Sequence, residues 1–294
     1  MFKLEDVHAG YAGVIVRDVN ISVNPGEVHA LLGPNGSGKS TLLRSAAGVI
    51  PPFKGRILLD GIDIFRNPHI KRRIGYMPEG EAIFRGFTVE RLIKVMCRLY
   101  EAKINERVFE ETRIKEIMNK TIGSLSMGQK RRVLLSLALV HDPDVLILDE
   151  PTANLDFTTA DEMRRLIKQL AKEGRAIFMA SHNIPEVQEL ASHVEVIFRG
   201  SIVFQDLISN VEKHIKSMVS VRIRCTGDPS ACLRELGYGV IQEGDSYIIA
   251  VRNFDEEMPK ITAYLGSKGL NIKEVAKAGN PLGELLREKL EEGS

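Results

Sequence analysis

The residues best suited to chemistry form a glycine-rich stretch near the amino terminus. It reads GPNGSGKST and fits the phosphate-binding pattern G-x-x-x-x-G-K-[ST]. Glycines allow positive φ angles, so that successive N–H groups can point at a phosphate. Lys39 supplies a positive charge for the outer phosphates, and the Ser40 hydroxyl is a ligand for Mg²⁺. The pattern predicts a nucleoside triphosphate site formed by Gly33, Pro34, Asn35, Gly36, Ser37, Gly38, Lys39, Ser40 and Thr41.

The residues on either side of this loop support the same interpretation. Residues 28–32, VHALL, are typical of a buried strand, and residues 40–49 have the pattern of a helix. The positive end of that helix dipole would face the phosphates. A chance glycine-rich turn is the alternative, and a strand and a helix around the match argue against it.

Two adjacent carboxylates form the second strong signal. Asp149 and Glu150 follow the aliphatic run 145–148, VLIL, which suits a strand covered on both faces of a parallel sheet. Packing does not explain two acids at the end of such a strand. We expect Asp149 to hold Mg²⁺ through water and Glu150 to polarise the attacking water. The alternative is a strand that happens to end in two acids.

Three single residues could also contact the ligand. Glu79 follows the short strand 74–77, and His182 follows the apolar strand 176–180; polar groups at such ends commonly reach ligands in parallel sheets. Tyr11 lies in the turn between the first two predicted strands and could stack on a base. Each has a simpler explanation as a surface or structural side chain.

Residues 124–130, SLSMGQK, precede a helix predicted from Arg131 to His141. Ser126 and Gln129 have the spacing of a capping box, so capping explains part of the pattern. The same helix start, with Gly128 beside the hydroxyl, is also a good receptor for an anion. Upstream, residues 88–121 show two amphipathic helical segments, the second spanning about 108–118.

Turn residues predict antiparallel strands elsewhere. Residues 1–27 alternate apolar and polar side chains, residues 56–64 indicate a hairpin around Asp60-Gly61, and a strand pair is expected around Arg199-Gly200. Together these features predict an α/β P-loop NTPase fold with a parallel core sheet, an antiparallel β subdomain and a helical subdomain.

The composition sets limits on function. The 294 residues carry a net charge of +1, which provides no general attraction to nucleic acid, and we predict no nucleic-acid partner. The three cysteines form no C-x-x-C pair and are expected to be reduced thiols in a cytosolic protein; a disulfide between Cys225 and Cys232 is a weaker alternative. No apolar run approaches the roughly 20 residues that span a bilayer.

Over residues 1–210 the chain resembles the ATP-binding subunits of ABC transporters. The matching motifs occur in family order and are Tyr11 (the adenine-stacking aromatic), Gly33–Thr41 (Walker A), Leu125–Gln129 (the LSGGQ signature), Val145–Glu150 (Walker B), Ala153–Asp156 (the D-loop) and His182 (the switch histidine). The resemblance departs at Met127, where glycine is usual, at Glu79, where the Q-loop has glutamine, and in a short helical subdomain.

The resemblance implies an ATPase that uses ATP and Mg²⁺ and acts as a homodimer or heterodimer. Lys39, Glu150 and His182 would be catalytic, and Ser40, Glu79 and Asp149 would face the metal. Ser126, Gly128 and Gln129 of one chain would close over the ATP held by the other. Separate polytopic permease subunits would hold the dimer at the inner face of the cell membrane.

Residues 211–294 are predicted to form an accessory domain. Their pattern follows the ferredoxin-like order β-α-β-β-α-β over 217–276, with a terminal amphipathic helix at 281–290. This placement resembles the accessory domain of ABC-2-type exporter ATPases. An ATP-driven exporter subunit is therefore the leading hypothesis, with a soluble ABC-type ATPase and a non-catalytic ATP sensor as alternatives.

Overall fold

The computed structural model describes residues 1–80, 85–103, 106–211 and 219–277. It divides the chain into two compact units, Met1–Gln205 and Asp206–Ser294. The strands are β1 (Phe2–Gly10), β2 (Val14–Val23), β3 (Val28–Leu32), β4 (Lys54–Leu59), β5 (Ile62–Asp63), β6 (Ile74–Met77), β7 (Val145–Asp149), β8 (Ala176–Ser181), β9 (His193–Phe198), β10 (Ser201–Leu207), β11 (Val219–Cys225), β12 (Ile241–Glu243), β13 (Ser246–Val251) and β14 (Ile272–Lys277).

The α-helices that lie wholly within the described ranges are α1 (Lys39–Ala46), α2 (Val89–Tyr100), α3 (Glu106–Glu111), α4 (Met127–Leu139), α5 (Phe157–Lys172), α6 (Ile184–Leu190), α7 (Ser230–Glu235) and α8 (Phe254–Ser267). Short 3₁₀ turns cover Pro68–Arg73, Lys115–Ile117 and Ile122–Ser124. Among the residues with a described placement, no helix is both long enough and apolar enough to cross a membrane.

A six-stranded sheet positions the predicted site. Its strand order is β10-β9-β3-β8-β7-β6, and the pairs from β9 to β6 are parallel. Every residue of β3, β7 and β8 is buried. These strands are apolar on both sides because the sheet is covered on both faces. Their carboxyl ends carry the glycine-rich loop, the paired acids and His182 to one edge of the sheet.

A second, antiparallel sheet covers one face. Its order is β2-β1-β4-β5, and it shares a hydrophobic core with α1 and the six-stranded sheet. Phe2 and Leu4 from β1, Leu42 from α1 and Phe178 from β8 are fully buried in that core. The expected parallel sheet with an antiparallel subdomain is confirmed.

Several helix boundaries differ from the predicted ones, and capping explains the differences. Helix α4 begins at Met127 instead of Arg131, because the Ser126 capping box starts it. Helix α5 begins at Phe157, because Asp156 accepts from the Thr159 N–H and caps it. Helix α1 ends at Ala46, ahead of the predicted Val49, where Gly48 adopts a φ of 74°.

The second amphipathic segment predicted over 108–118 is not one helix. It consists of α3, which ends at Glu111, and the 3₁₀ turn Lys115–Ile117. Between them Arg113 has a φ of 52°, which interrupts the helical path. The apolar pattern was correct as a burial pattern, since Val108, Ile114 and Ile117 are all buried.

The second unit has the predicted β-α-β-β-α-β order over residues 219–277. Its four strands pair antiparallel in the order β12-β13-β11-β14, which is the ferredoxin-like arrangement. Helices α7 and α8 bury Leu233 and Leu265 against Val221 and Ile249 of the sheet. The predicted helix at 281–290 lies outside the described residues. Cys225 and Cys232 are free thiols.

Gly200 offers a test of how the β9–β10 hairpin supports the site. Its φ is +85°, and a Cβ there would lie 1.9 Å from the Ile15 carbonyl oxygen. Its N–H donates to the Ser37 carbonyl of the glycine-rich loop at 2.9 Å. Gly174 has a φ of +97° with open space around it, so it is a control for the backbone angle alone.

We expect Gly174→Ala to lower the free energy of unfolding by about 1–2 kcal/mol, the cost of a left-handed alanine. Gly200→Ala should cost about 3 kcal/mol or more, because the clash with Ile15 adds to that strain. Urea unfolding followed by circular dichroism measures both values. Equal losses in the two variants would contradict the packing argument.

Candidate functional site

The glycine-rich loop connects β3 to α1 with left-handed glycines at two points. Gly36 has a φ of 80° and Gly38, the residue before α1, a φ of 108°. Only glycine adopts these angles without strain. A Cβ on Gly38 would also come within 2.9 Å of the Val16 side chain. The loop therefore curls under the amino end of α1, where N–H groups and the helix dipole favour an anion.

The Lys39 ammonium lies over this loop. Its Nζ donates to the carbonyl oxygens of Gly33 at 2.7 Å and Pro34 at 3.2 Å, and it lies 4.0 Å from Glu150 Oε1. The Lys39 side chain is buried, which strengthens its field by excluding water. The predicted phosphate-binding lysine and the predicted base are thus brought together.

Ser40 and Asp149 meet on the other side of the loop. The Ser40 hydroxyl donates to Asp149 Oδ1 at 3.3 Å, and Asp149 is completely buried. Burial raises the pKa of the Asp149 carboxyl, and the Ser40 hydrogen bond opposes that rise. Asp149 Oδ2 is buried with no hydrogen-bond partner among the described residues. A buried carboxylate oxygen beside a hydroxyl is a donor set that suits a hard divalent cation.

Glu150 adopts an unusual backbone conformation at the end of β7. Its φ is 51°, and its N–H donates to the Ala180 carbonyl at 3.1 Å. Non-glycine residues in this region cluster at functional sites. Glu150 Oε2 lies 2.8 Å from Nδ1 of His182, whose side chain is 62% exposed. Burial raises the pKa of the Glu150 carboxyl, and the nearby His182 opposes the rise.

The residues of the 124–130 stretch lie apart from the group formed by Lys39, Ser40, Asp149, Glu150 and His182. Ser126 accepts from the Gln129 N–H at 3.3 Å, and the Gln129 side chain accepts from the Ser126 N–H at 3.2 Å, so the predicted capping box forms. Both residues and Gly128 line a cavity of about 410 Å³ together with Asn154 and Asp156. No residue of the glycine-rich loop lines that cavity.

Comparison with known proteins identifies this arrangement. The family model described as "ABC transporter" matches residues 16–153. The ABC transporter ATP-binding protein NatA of Bacillus subtilis (strain 168) is 34% identical over 210 residues, which cover 69% of this chain and 85% of NatA. The chain belongs to the ATP-binding subunits of ABC transporters. It is therefore an ATPase that binds ATP and drives transport.

Two further comparisons agree with membership of this family. The bacitracin transport ATP-binding protein BcrA of Bacillus licheniformis is 33% identical over 213 residues, 71% of this chain and 70% of BcrA. The dimeric structure of the ATP-binding cassette MJ0796 in a post-hydrolysis state with ADP and Pi superimposes with a TM-score of 0.63 at 23% identity. It covers 71% of this chain and 99% of that one. This likeness in structure confirms the ABC ATPase fold.

In this ABC ATPase the predicted adenine-stacking residue is tied to the P-loop helix. Tyr11 is 53% exposed in the β1–β2 turn, and its phenol oxygen accepts a hydrogen bond from Arg44 of α1. This hydrogen bond joins the β1–β2 turn to the P-loop helix. Glu79 is exposed just past β6, and its charge is one cause of the raised pKa of Asp149. These placements agree with the predicted roles, which stay predictions.

Sequence reasoning missed Arg44 and Glu186. Glu186, at the start of α6, is 2% exposed and accepts hydrogen bonds from the hydroxyls of Thr152 and Ser181. It therefore ties together the two segments that carry Glu150 and His182. Burial raises the pKa of the Glu186 carboxyl, and the Ser181 and Thr152 hydrogen bonds oppose the rise. The sequence did hold one signal for Glu186. Thr152 and Ser181 place a hydroxyl close to each predicted catalytic residue, and a hydroxyl that becomes buried needs a hydrogen-bond partner.

Proposed function

We propose that two copies of this cassette, or this cassette and a related one, close head to tail over ATP. The observation that carries the proposal is that Ser126, Gly128 and Gln129 line a cavity to which the glycine-rich loop contributes no residue. One chain holds ATP on its P-loop, and the signature helix of the second chain supplies N–H groups to the γ-phosphate. The dimeric state of the similar cassette MJ0796 supports this arrangement.

Within each site we assign roles by position. Ser40 and Asp149 would hold Mg²⁺, with Glu79 beside them. The metal neutralises phosphate charge when it is bound. Glu150 accepts a proton from the attacking water, which its buried position near Lys39 and His182 permits. Lys39 and His182 stabilise the charge that develops on the phosphoryl oxygens.

An apolar groove beside the site suits a helix of a membrane partner. It encloses about 520 Å³ between α2, α4 and the carboxyl end of β6, and its lining includes Val49, Met96, Leu99 and Leu137. Leu99 is 67% exposed and Val49 is 57% exposed. Exposed apolar surface of this kind marks a protein contact, and it reaches Gly80, next to Glu79. We assign the groove to a short cytoplasmic helix of a permease.

The membrane partner can be tested by affinity capture. Tagged protein is incubated with detergent-solubilised membranes of the native source. We expect wild type and Ile62→Glu to recover the same multi-span membrane protein, and Leu99→Glu to recover little of it. Ile62 is an exposed apolar residue that does not line the groove, so it controls for added charge. Recovery of soluble partners alone from well-extracted membranes would instead favour a soluble ABC ATPase.

We further propose that the transporter is an ABC-2-type exporter. The ferredoxin-like order of residues 219–277 resembles the accessory domain of such exporter ATPases, and the similarity to a bacitracin transport protein agrees with this class. We expect the complex recovered by affinity capture to contain a permease and no solute-binding protein. A solute-binding protein in the recovered complex would contradict the export assignment and leave the transporter assignment intact.

A further inference from the structure

A second cluster of ligating side chains lies at the opposite edge of the six-stranded sheet. His29 and His193 are direct partners in the parallel pair β3–β9, near the amino end of each strand. The P-loop starts at Gly33, four residues further along β3, which is about 13 Å away at 3.3 Å per residue. This cluster is therefore separate from the nucleotide site.

The cluster brings together one carboxylate and two imidazoles. Glu27 Oε2 lies 3.2 Å from His29 Nε2, and one ligand atom each from Glu27, His29 and His193 fall within 4.8 Å of one another. His29 is 1% exposed, whereas the Glu27 side chain is 28% exposed. All three line a cavity of about 610 Å³, which provides a path for entry.

A buried carboxylate orients His29. Glu195 is completely buried on β9, and its Oε1 accepts a hydrogen bond from His29 Nδ1 at 2.6 Å. This directs His29 Nε2 toward Glu27. Carboxylates that accept from the second nitrogen of a histidine in this way are typical of metal-binding histidines. Glu195 Oε2 is buried with no hydrogen-bond partner in the described ranges, so one carboxylate oxygen beside the cluster is left unsatisfied.

The Ser192 hydroxyl contacts Nδ1 of His193, as Glu195 contacts Nδ1 of His29. The Ser192 hydroxyl donates its one proton to the Val28 carbonyl at 3.0 Å, and it lies 3.1 Å from His193 Nδ1. Because that proton is already used, His193 Nδ1 must be the donor in the second contact. When His193 is deprotonated at Nε2, that nitrogen can bind a metal ion.

The Glu27 carboxylate is held as well. Its Oε2 accepts from the backbone N–H of Asn24 at 2.9 Å and from the Asn24 side-chain amide at 3.1 Å. Each of the three ligating groups therefore has a partner outside the ligand set, which is common for metal-binding side chains.

We propose that Glu27, His29 and His193 bind a divalent first-row transition metal, with Zn²⁺ as the best fit. Two imidazole nitrogens and one carboxylate oxygen form a three-ligand set, and the fourth position faces the cavity. The ion replaces the proton between His29 Nε2 and Glu27, and that proton leaves to solvent. The metal joins the starts of β3 and β9.

Metal binding must also change the histidine rings. They are stacked, with centroids 4.1 Å apart and planes 11° from parallel. Lone pairs of imidazole nitrogens lie in the ring planes, so two parallel rings cannot both direct Nε2 at one ion. Binding therefore rotates at least one ring out of the stack, which histidine ring NMR signals report independently of ATPase activity.

The test is a Zn²⁺ titration of the full chain, stripped of metal by a chelator, with Mg²⁺ present and nucleotide absent. We expect one tight site by calorimetry and shifted ¹⁵N signals for the His29 and His193 rings. His193→Ala should weaken binding by more than about 100-fold, and Glu195→Gln by about 10–100-fold. His8→Ala is the matched control, because His8 belongs to a separate, more exposed group with Asp6 and Asp18.

Three results would overturn the proposal. One is equal Zn²⁺ affinity in wild type and a folded His193→Ala variant, which would place any bound ion elsewhere. The other is wild-type protein that binds no Zn²⁺ while its circular dichroism spectrum and ATP binding stay intact. Loss of binding in His8→Ala with retention in His193→Ala would also contradict the assignment.

Discussion

Replacing Glu150 with glutamine is expected to lower ATP turnover by about 10²–10⁴-fold, the usual contribution of a general base. ATP affinity should stay near wild type. Glutamine keeps the size of the side chain and can still contact His182, but it cannot accept a proton from water. Because Glu150 lies 4.0 Å from Lys39 and 2.8 Å from His182, the loss should appear in kcat rather than in binding.

The measurement is steady-state phosphate release together with ATP binding by the same protein samples. Glu189→Gln is the control, since Glu189 is a surface carboxylate paired with Arg164 and Lys168, away from β7. We expect the control to keep wild-type turnover. If Glu150→Gln hydrolyses ATP at the wild-type rate, another group activates the water and the assigned role is wrong.

Replacing Lys39 with alanine is expected to weaken ATP binding by about 10- to 100-fold. A hydrogen bond to a charged group contributes about 1.5–3 kcal/mol, which corresponds to that change in Kd. The Lys39 ammonium is the buried positive charge that lies over the loop, where it now contacts the Gly33 and Pro34 carbonyls. ATP phosphates would replace those carbonyls as its partners.

Lys71→Ala provides the matched control for this loss. Lys71 also donates to a backbone carbonyl, that of Gly48 at 2.9 Å, but it lies past the far end of α1. Titration with a fluorescent ATP analogue should show a weakened Kd for Lys39→Ala and an unchanged Kd for Lys71→Ala. Similar affinity in both variants would exclude Lys39 from phosphate binding.

The strands and turns around the site were predictable because their signals are local. The strands β3, β7 and β8 are apolar runs since both sheet faces are covered. The Asp60-Gly61 and Arg199-Gly200 turns take positive φ at both residues, as their types indicate. The proposed ligand residues follow from motifs whose spacing matches phosphate and metal chemistry.

Other features depend on contacts that sequence spacing does not encode. The break after α3 requires Arg113 to adopt a left-handed backbone conformation, which the arginine residue type does not predict. The His29–His193 pair joins residues 164 positions apart, and it arises only because β9 is the neighbour of β3 in the sheet. Glu186 looked like an ordinary helix residue until burial placed it between Thr152 and Ser181.

The central claim is that ATP completes the site by joining two cassettes, and sedimentation of Glu150→Gln tests it most directly. Without nucleotide, we expect the mass of one 32.7 kDa chain. With saturating ATP and Mg²⁺, the mass should double, and Ser126→Arg in the same background should prevent the doubling. A Glu150→Gln protein that binds ATP fully and still sediments as a single chain would contradict closure between two copies of this chain.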